Sequence, residues 1–176
     1  MDAPDAGAVT PMDYVTAWRQ VIQQPDAFFA TMPQTGGLGA PLGFLASCAA
    51  LDAAGMLVVS QSLGVAVGTF VGLVVGTFVL AAALTLASQH MVGGRAGFEP
   101  VFRVVAYGSA PAVFFWVPRV AILACLYAWI LHVRGIERVQ ALDPGRAALV
   151  TALAWVALWL VVRGLGGAPL GWIGTR

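Results

Sequence analysis

Apolar residues dominate the chain between positions 41 and 163, where they form long runs separated by short polar or glycine-rich breaks. A helix that crosses a bilayer needs roughly 20 consecutive apolar residues. The first two runs, at about Pro41–Ser60 and Ser62–His90, meet this length, and each predicts one membrane span. The second run carries no charged residue from Leu63 to Ser88, so its helix is expected to tilt or to protrude from the bilayer.

The next stretch, Ala96–Gly135, is compatible with one long helix or with a tight hairpin of two helices. Arg119 lies near its middle, and a single span would place that charge deep in hydrocarbon at a cost of at least ~2.5 kcal/mol. A hairpin places the charge at the membrane surface, which favours two spans at about Gly97–Val117 and Arg119–Arg134. After a polar loop, Ala147–Val162 predicts another span. The predicted fold is therefore an all-α, polytopic transmembrane bundle with five spans.

The segment before the first span, residues 12–40, predicts a short amphipathic helix followed by a glycine-rich loop. Its apolar residues recur at helical spacing on one face, at Tyr14, Trp18, Val21 and Ile22. With Phe28 and Phe29 in a following turn, this face suits the membrane interface, so we expect the helix to lie on the membrane surface. A cap packed on the bundle is the alternative. Residues 1–11 are expected to be disordered, and residues 164–176 to form a short tail.

The composition supports a membrane protein over a soluble one. Apolar residues make up 60% of the chain and charged residues 10%, against about 25% charged residues in an ordinary soluble domain. The net charge of +1 does not indicate nucleic-acid binding. With five spans and a cytoplasmic N-terminus, six arginines lie on the cytoplasmic side and three outside, as the positive-inside rule favours. A four-span chain gives five against three, so the arginines alone leave the number of spans open.

The second predicted span carries a stripe of small residues at four-residue spacing, namely Gly64, Gly68, Gly72 and Gly76. Residues four apart lie on nearly the same face of a helix, so the stripe forms a shallow groove. In lipid, such a groove lets another helix approach closely and gain dispersion contacts. We expect it to pack against a helix of the same chain, and a helix of another chain is the alternative.

Asp52 is the only carboxylate within the core of a predicted span. A charge near the bilayer centre is costly, so this group is expected to face the bundle and to be paired or protonated. Tyr107, at a similar depth, is a candidate partner, as are Arg103 and Ser109. A proton or cation site is the functional interpretation, and a hydrogen-bonded structural carboxyl group is the alternative.

No motif for nucleophilic catalysis, phosphate binding or zinc hydrolysis occurs in the sequence. The two cysteines and two histidines are scattered through the chain without the spacing of metal ligands. We therefore expect no catalytic residue, no metal site, no cofactor and no enzymatic activity.

Several short motifs follow one another in a characteristic order. A Gly93-Gly94 pair ends the second span, a segment reading Ala-Tyr-Gly-Ser-Ala-Pro begins at Ala106, and Trp-Val-Pro ends at Pro118. In this order the chain resembles bacterial members of the Yip1 domain family over roughly residues 14–163. The residues that carry the family motif are Gly93, Gly94, Ala106, Tyr107, Pro111 and Pro118.

The resemblance implies five spans in the bacterial inner membrane, with the N-terminus in the cytoplasm and the C-terminus outside. Eukaryotic relatives act in vesicle trafficking, bind small GTPases of the Rab class and form complexes with other family members. By this resemblance the protein is a non-enzymatic scaffold that organises lipid or partner membrane proteins, including copies of itself. A small transporter or channel that uses Asp52 is the alternative. A polar path to Asp52 would indicate transport, whereas dry burial would indicate a scaffold.

Overall fold

The computed structural model describes residues 11–164, and no β-strand occurs in this range. The predicted disordered segment 1–11 and the predicted tail 164–176 lie outside the described residues, except at their inner ends. The elements are α1 (Pro11–Gln23), α2 (Pro25–Thr31), α3 (Gly39–Ser60), α4 (Leu63–Val92), α5 (Phe98–Gly108), a 3-10 turn (Ala110–Phe114), α6 (Pro118–Gln140) and α7 (Pro144–Gly164).

Four of these helices, α3, α4, α6 and α7, are long and apolar enough to cross a membrane. The shortest, α7, has 21 residues, which at 1.5 Å per residue is about 31 Å and matches the hydrocarbon core of a bilayer. Large apolar side chains are exposed on their outer faces, including Val58, Val67, Leu123 and Leu160. Such a surface suits lipid as the surrounding solvent. The all-α fold and four of the five predicted long helices are thus confirmed.

The third predicted span, Gly97–Val117, is not a single helix. α5 ends at Gly108 after 11 residues, which gives about 16 Å of helix, half of the hydrocarbon thickness. The 3-10 turn that follows contains Pro111, and Pro118 begins α6. Proline removes a backbone donor and crowds the preceding turn, so α5 cannot continue through this sequence. The five-span count is therefore not confirmed by helix length.

Two contacts show the course of the chain between α4 and α6. The Trp116 ring lies against Gly55, near the end of α3. At the opposite end, the Gln140 side chain accepts a hydrogen bond from the Ala96 backbone amide at 2.8 Å. α6 therefore ends at the same level of the bundle as α4, while the stretch before α6 returns toward the end of α3.

The Gly-Gly pair after α4 is required by this arrangement. Gly93 has a φ of 75° and caps the helix in the left-handed region, where a side chain is strained. The Gly94 amide donates to the Ser88 carbonyl at 2.8 Å. A Cβ on Gly94 would collide with the Gln140 side chain. One glycine thus supplies the turn, and the other lets α6 approach it.

α1 and α2 pack on the bundle, contrary to the expectation that the apolar face of α1 lies in lipid. Val21 is fully buried, and Tyr14, Trp18 and Ile22 pack against the core. The Trp18 indole donates to the Ala110 carbonyl at 2.9 Å. Tyr127 of α6 donates to the Ile22 carbonyl at 2.6 Å. Because protein fills the apolar face, the structure favours the capping alternative, and a surface-lying helix is not confirmed.

α5 and α6 cross closely at two glycines that the sequence analysis did not single out. A Cβ on Gly108 would collide with the His132 ring, and a Cβ on Gly135 would collide with the Val104 side chain. Each glycine therefore receives a side chain from the other helix. The signal in the sequence is weak, because these glycines lie on different helices and form no repeat.

Gly135→Leu is expected to lower the thermal midpoint of the purified protein in detergent by roughly 5 °C, since the new side chain must displace Val104. The matched control is Gly68→Leu, because a Cβ at Gly68 meets no atom within 4 Å. Tryptophan fluorescence during heating measures both midpoints. Equal shifts in the two variants would contradict the assigned packing.

Trp18→Phe is expected to lower the same midpoint by about 3 °C, because it keeps a ring but removes one hydrogen bond worth ~1 kcal/mol. Trp159→Phe is the control, since Trp159 is 51% exposed and its indole has no hydrogen-bond partner among residues 14–164. Light-scattering midpoints report both variants without relying on the removed fluorophore. A larger effect at position 159 would show that α1 does not stabilise the bundle.

Candidate functional site

A cavity of about 630 Å³ lies between α3, α4, α6 and α7. We call it the α4–α7 cleft, because those two helices form its long walls. Its lining includes Asp52 from α3, the glycine stripe of α4, His132 from α6 and Trp155 from α7. Most other lining residues are apolar, so the cleft is a largely apolar cavity with a few polar groups in its wall.

The uneven packing of α4 and α7 creates the cleft. The buried residues of α4 lie mainly in its second half, from Thr77 to Ser88. Those of α7 lie in its first half, from Ala147 to Ala154. Because the chain reverses between them, these two halves meet at the same end of the bundle. Beyond that contact the helices leave space between them.

The glycine stripe faces this space and is not packed against another helix of the chain. A Cβ on Gly68, Gly72 or Gly76 would meet no atom within 4 Å, and one on Gly64 would meet only the Ser62 hydroxyl, at 3.8 Å. Close packing of the stripe against another helix is therefore not seen among the described residues, and its packing role stays a prediction. The residues that would close the groove lie on the second half of α7, which diverges from α4.

Asp52 lines the cleft and is only 3% exposed. The Trp116 backbone lies within hydrogen-bonding reach of its carboxyl group. Its Oδ1 atom is buried and has no hydrogen-bond partner among the described residues. The sequence thus identified the residue, and the tertiary structure adds an unmatched acceptor at the wall of a cavity.

The candidate partners of Asp52 lie mostly elsewhere. The Arg103 guanidinium donates to the Gly37 carbonyl at 2.6 Å and pairs with Glu99 at 3.2 Å. Glu99 in turn accepts from the Gly37 amide at 2.7 Å. Arg103 therefore ties the loop before α3 to α5. Ser109 does line the cleft, but its hydroxyl donates to the Val105 carbonyl at 2.9 Å.

Tyr107 belongs to an aromatic cluster rather than to the cleft. Its ring centroid lies 5.0 Å from those of both Phe28 and Phe44. Leu45 and Cys48, two turns and one turn before Asp52 on α3, are also buried. These side chains fill the bundle between Asp52 and the end at which α3 begins. The cleft is therefore closed on that side by packed apolar groups.

His132 is a cleft residue whose hydrogen bonds the sequence did not reveal. The Trp155 indole can only donate, and it lies 3.2 Å from Nδ1 of the imidazole. Nδ1 must therefore accept, which leaves the proton on Nε2, 3.2 Å from the Val105 carbonyl. Both nitrogens of a neutral ring are thus in use. This histidine joins α5, α6 and α7 and has no free nitrogen for a ligand.

The residues of the family motif are placed at breaks and contacts of the bundle. Ala106 and Pro111 are buried around the end of α5, and Pro118 is the first residue of α6. Gly93 and Gly94 form the turn after α4 described above. The motif therefore specifies the irregular path between α4 and α6. Within residues 11–164, no three histidine, cysteine, aspartate or glutamate side chains cluster in a way suited to metal binding.

Comparison with known proteins agrees with this architecture. The model of the Yip1 domain matches residues 19–165, which is most of the chain. No curated protein and no solved structure gives a match. The match includes all four membrane-length helices and the broken segment between α4 and α6. The chain is therefore an integral membrane protein that belongs to the Yip1 domain family.

Proposed function

We propose that this protein is a non-enzymatic membrane scaffold that organises lipid or partner membrane proteins, including copies of itself, in the bacterial inner membrane. The proposal rests on the dense packing of the bundle between Asp52 and the end at which α3 begins. The rings of Phe28, Phe44 and Tyr107 meet there, beside buried aliphatic groups. A channel needs a continuous polar route, and a dense apolar plug of this kind opposes one.

The proposal includes five membrane passages, of which the third is broken. α4 and α6 end at the same level, as the Gln140–Ala96 hydrogen bond indicates. The connection between them must therefore return across the bundle before α6 begins. α5 and the 3-10 turn supply that passage. Irregular backbone is tolerated at membrane depth when protein surrounds it, and the residues from Val101 to Ala106 are all buried.

In the same proposal, α1 and α2 cover the cytoplasmic end of the bundle near the membrane surface. Asp26 of α2 lies 4.0 Å from Arg134 of α6, and Arg134 lies 3.8 Å from Glu137. These groups are partly or well exposed, which suits the headgroup region and not the hydrocarbon. The cap thus gives a scaffold a rigid cytoplasmic face.

A small transporter is the second candidate, and one observation favours it. The α4–α7 cleft reaches Asp52, so a molecule in the cleft has access to an intramembrane carboxyl group. Intramembrane acidic groups commonly mark transport sites. Transport would further require the aromatic cluster around Tyr107 to open.

Asp52→Asn separates the two functions. Asparagine has nearly the same shape and keeps an acceptor, so we expect unchanged folding and, for a scaffold, full complementation of a deletion phenotype. For a transporter, loss of the carboxyl group would abolish complementation and any measured flux in proteoliposomes. Ser47→Ala, which removes only a hydroxyl bonded to its own helix at 2.9 Å, is the control. A folded Asp52→Asn protein without function would reject the scaffold.

Reporter fusions test the five passages. We expect fusions after Arg95 and Leu142 to report a cytoplasmic position, and fusions after Val117 and at the C-terminus to report the outside. The decisive site is Val117, because it follows the broken passage. Alkaline phosphatase and green fluorescent protein give opposite signals on the two sides and serve as mutual controls. A cytoplasmic C-terminus would reduce the count to four.

A further inference from the structure

We propose that the α4–α7 cleft is a binding site for one membrane-soluble amphiphile that carries a protonated amine. The amine would lie at Asp52, and the apolar chain would lie along the glycine stripe of α4. This site is independent of the scaffold role, because a ligand can occupy the cleft whether or not it is transported.

The first argument is the unmatched carboxyl oxygen. Asp52 is 3% exposed, lines the cleft, and has a buried Oδ1 without a partner in the described chain. Buried acceptors are normally hydrogen-bonded, so this atom calls for a donor. The Trp116 backbone lies within hydrogen-bonding reach of the carboxyl group but leaves that oxygen unmatched.

Several donors in the wall of the cleft are already engaged elsewhere. The hydroxyl groups of Thr69 and Thr77 donate to carbonyls of α4, at 2.9 and 2.8 Å, and Ser109 donates to the Val105 carbonyl. The Trp155 indole donates to His132, which uses its remaining N–H toward the Val105 carbonyl. Two further lining donors, the Trp159 indole and the Cys125 thiol, leave Oδ1 unmatched as well. A donor on a molecule inside the cleft would satisfy it.

Charge selects a cation over an anion. Among residues 11–164, Asp52 is the only acidic residue in the lining, and no arginine of this range contributes to it. Arg163 lies over the ring of Trp159, a lining residue, with 5.6 Å between the guanidinium carbon and the ring centroid. An ammonium group can donate to Asp52 and balance its charge, whereas a carboxylate ligand would be repelled.

The size of the cleft is compatible with a single-chain amphiphile. The volume of about 630 Å³ lies in the range of roughly 300–1,000 Å³ that holds small ligands. The exposed Gly68 and Gly72 leave the cleft open toward the bilayer, so a chain can enter from lipid and lie along the glycine face of α4.

Equilibrium dialysis of the full-length protein in nanodiscs tests the site, with empty nanodiscs as the blank. The probes are dodecylamine, dodecanol and dodecanoate, which share a chain length and differ in headgroup. We expect one dodecylamine per protein, bound at least tenfold more tightly than either other probe. Asp52→Asn should weaken the amine at least tenfold and leave dodecanol unchanged.

A second pair of variants keeps the test decisive if Asp52→Asn folds poorly. Gly72→Phe places a ring in the cleft and should abolish dodecylamine binding. Val71→Phe, at a neighbouring position that is 50% exposed and outside the lining, should bind as the wild type does. Equal retention of the three probes, or unchanged amine binding by Gly72→Phe, would overturn the proposal. So would a stable dimer that only Gly72→Phe dissociates, because the cleft would then hold a second copy.

Discussion

The close crossing of α5 and α6 is the contact on which the rest of the bundle depends. His132 fills the space above Gly108, and Val104 fills the space above Gly135. Because α5 carries no side chain at Gly108, the imidazole can reach the Val105 carbonyl and still accept the Trp155 indole. One side chain thereby fixes three helices. In lipid, where apolar contact between helices has no solvent-driven advantage, such close packing and hydrogen bonding must supply the stability.

The position of this contact explains why the bundle is densely packed at one end and contains the α4–α7 cleft at the other. α7 is held to the bundle through Trp155, and its buried residues all precede that point. Beyond it, α7 is free to diverge from α4, and the α4–α7 cleft begins. The aromatic cluster around Tyr107 closes the opposite side. The same fold thus has a densely packed half and an open half, with Asp52 in the wall of the cleft.

Short polar links complete the dense half. Arg103, Glu99 and the Gly37 backbone form a closed set of contacts between α5 and the loop before α3. The Trp18 indole donates to the Ala110 carbonyl in the 3-10 turn, and the Tyr127 hydroxyl donates to the Ile22 carbonyl near the end of α1. Each link satisfies a group that lipid could not solvate. Arg103 and Glu99 therefore serve as structural links within the bundle.

The length and apolarity of the runs were enough to predict α3, α4, α6 and α7 from the sequence alone, because a bilayer sets the length of a spanning helix and excludes charge from it. The turn at Gly93 also followed from local backbone chemistry. The break near Pro111 was missed, because the predicted third span ran through this proline, which a helix interior does not tolerate. Other features depended on which helices become neighbours. The stripe from Gly64 to Gly76 has the spacing of a packing face, yet it lines a cleft because the end of α7 diverges. Spacing within one helix describes its surface, and only the tertiary structure decides whether protein, ligand or lipid covers it.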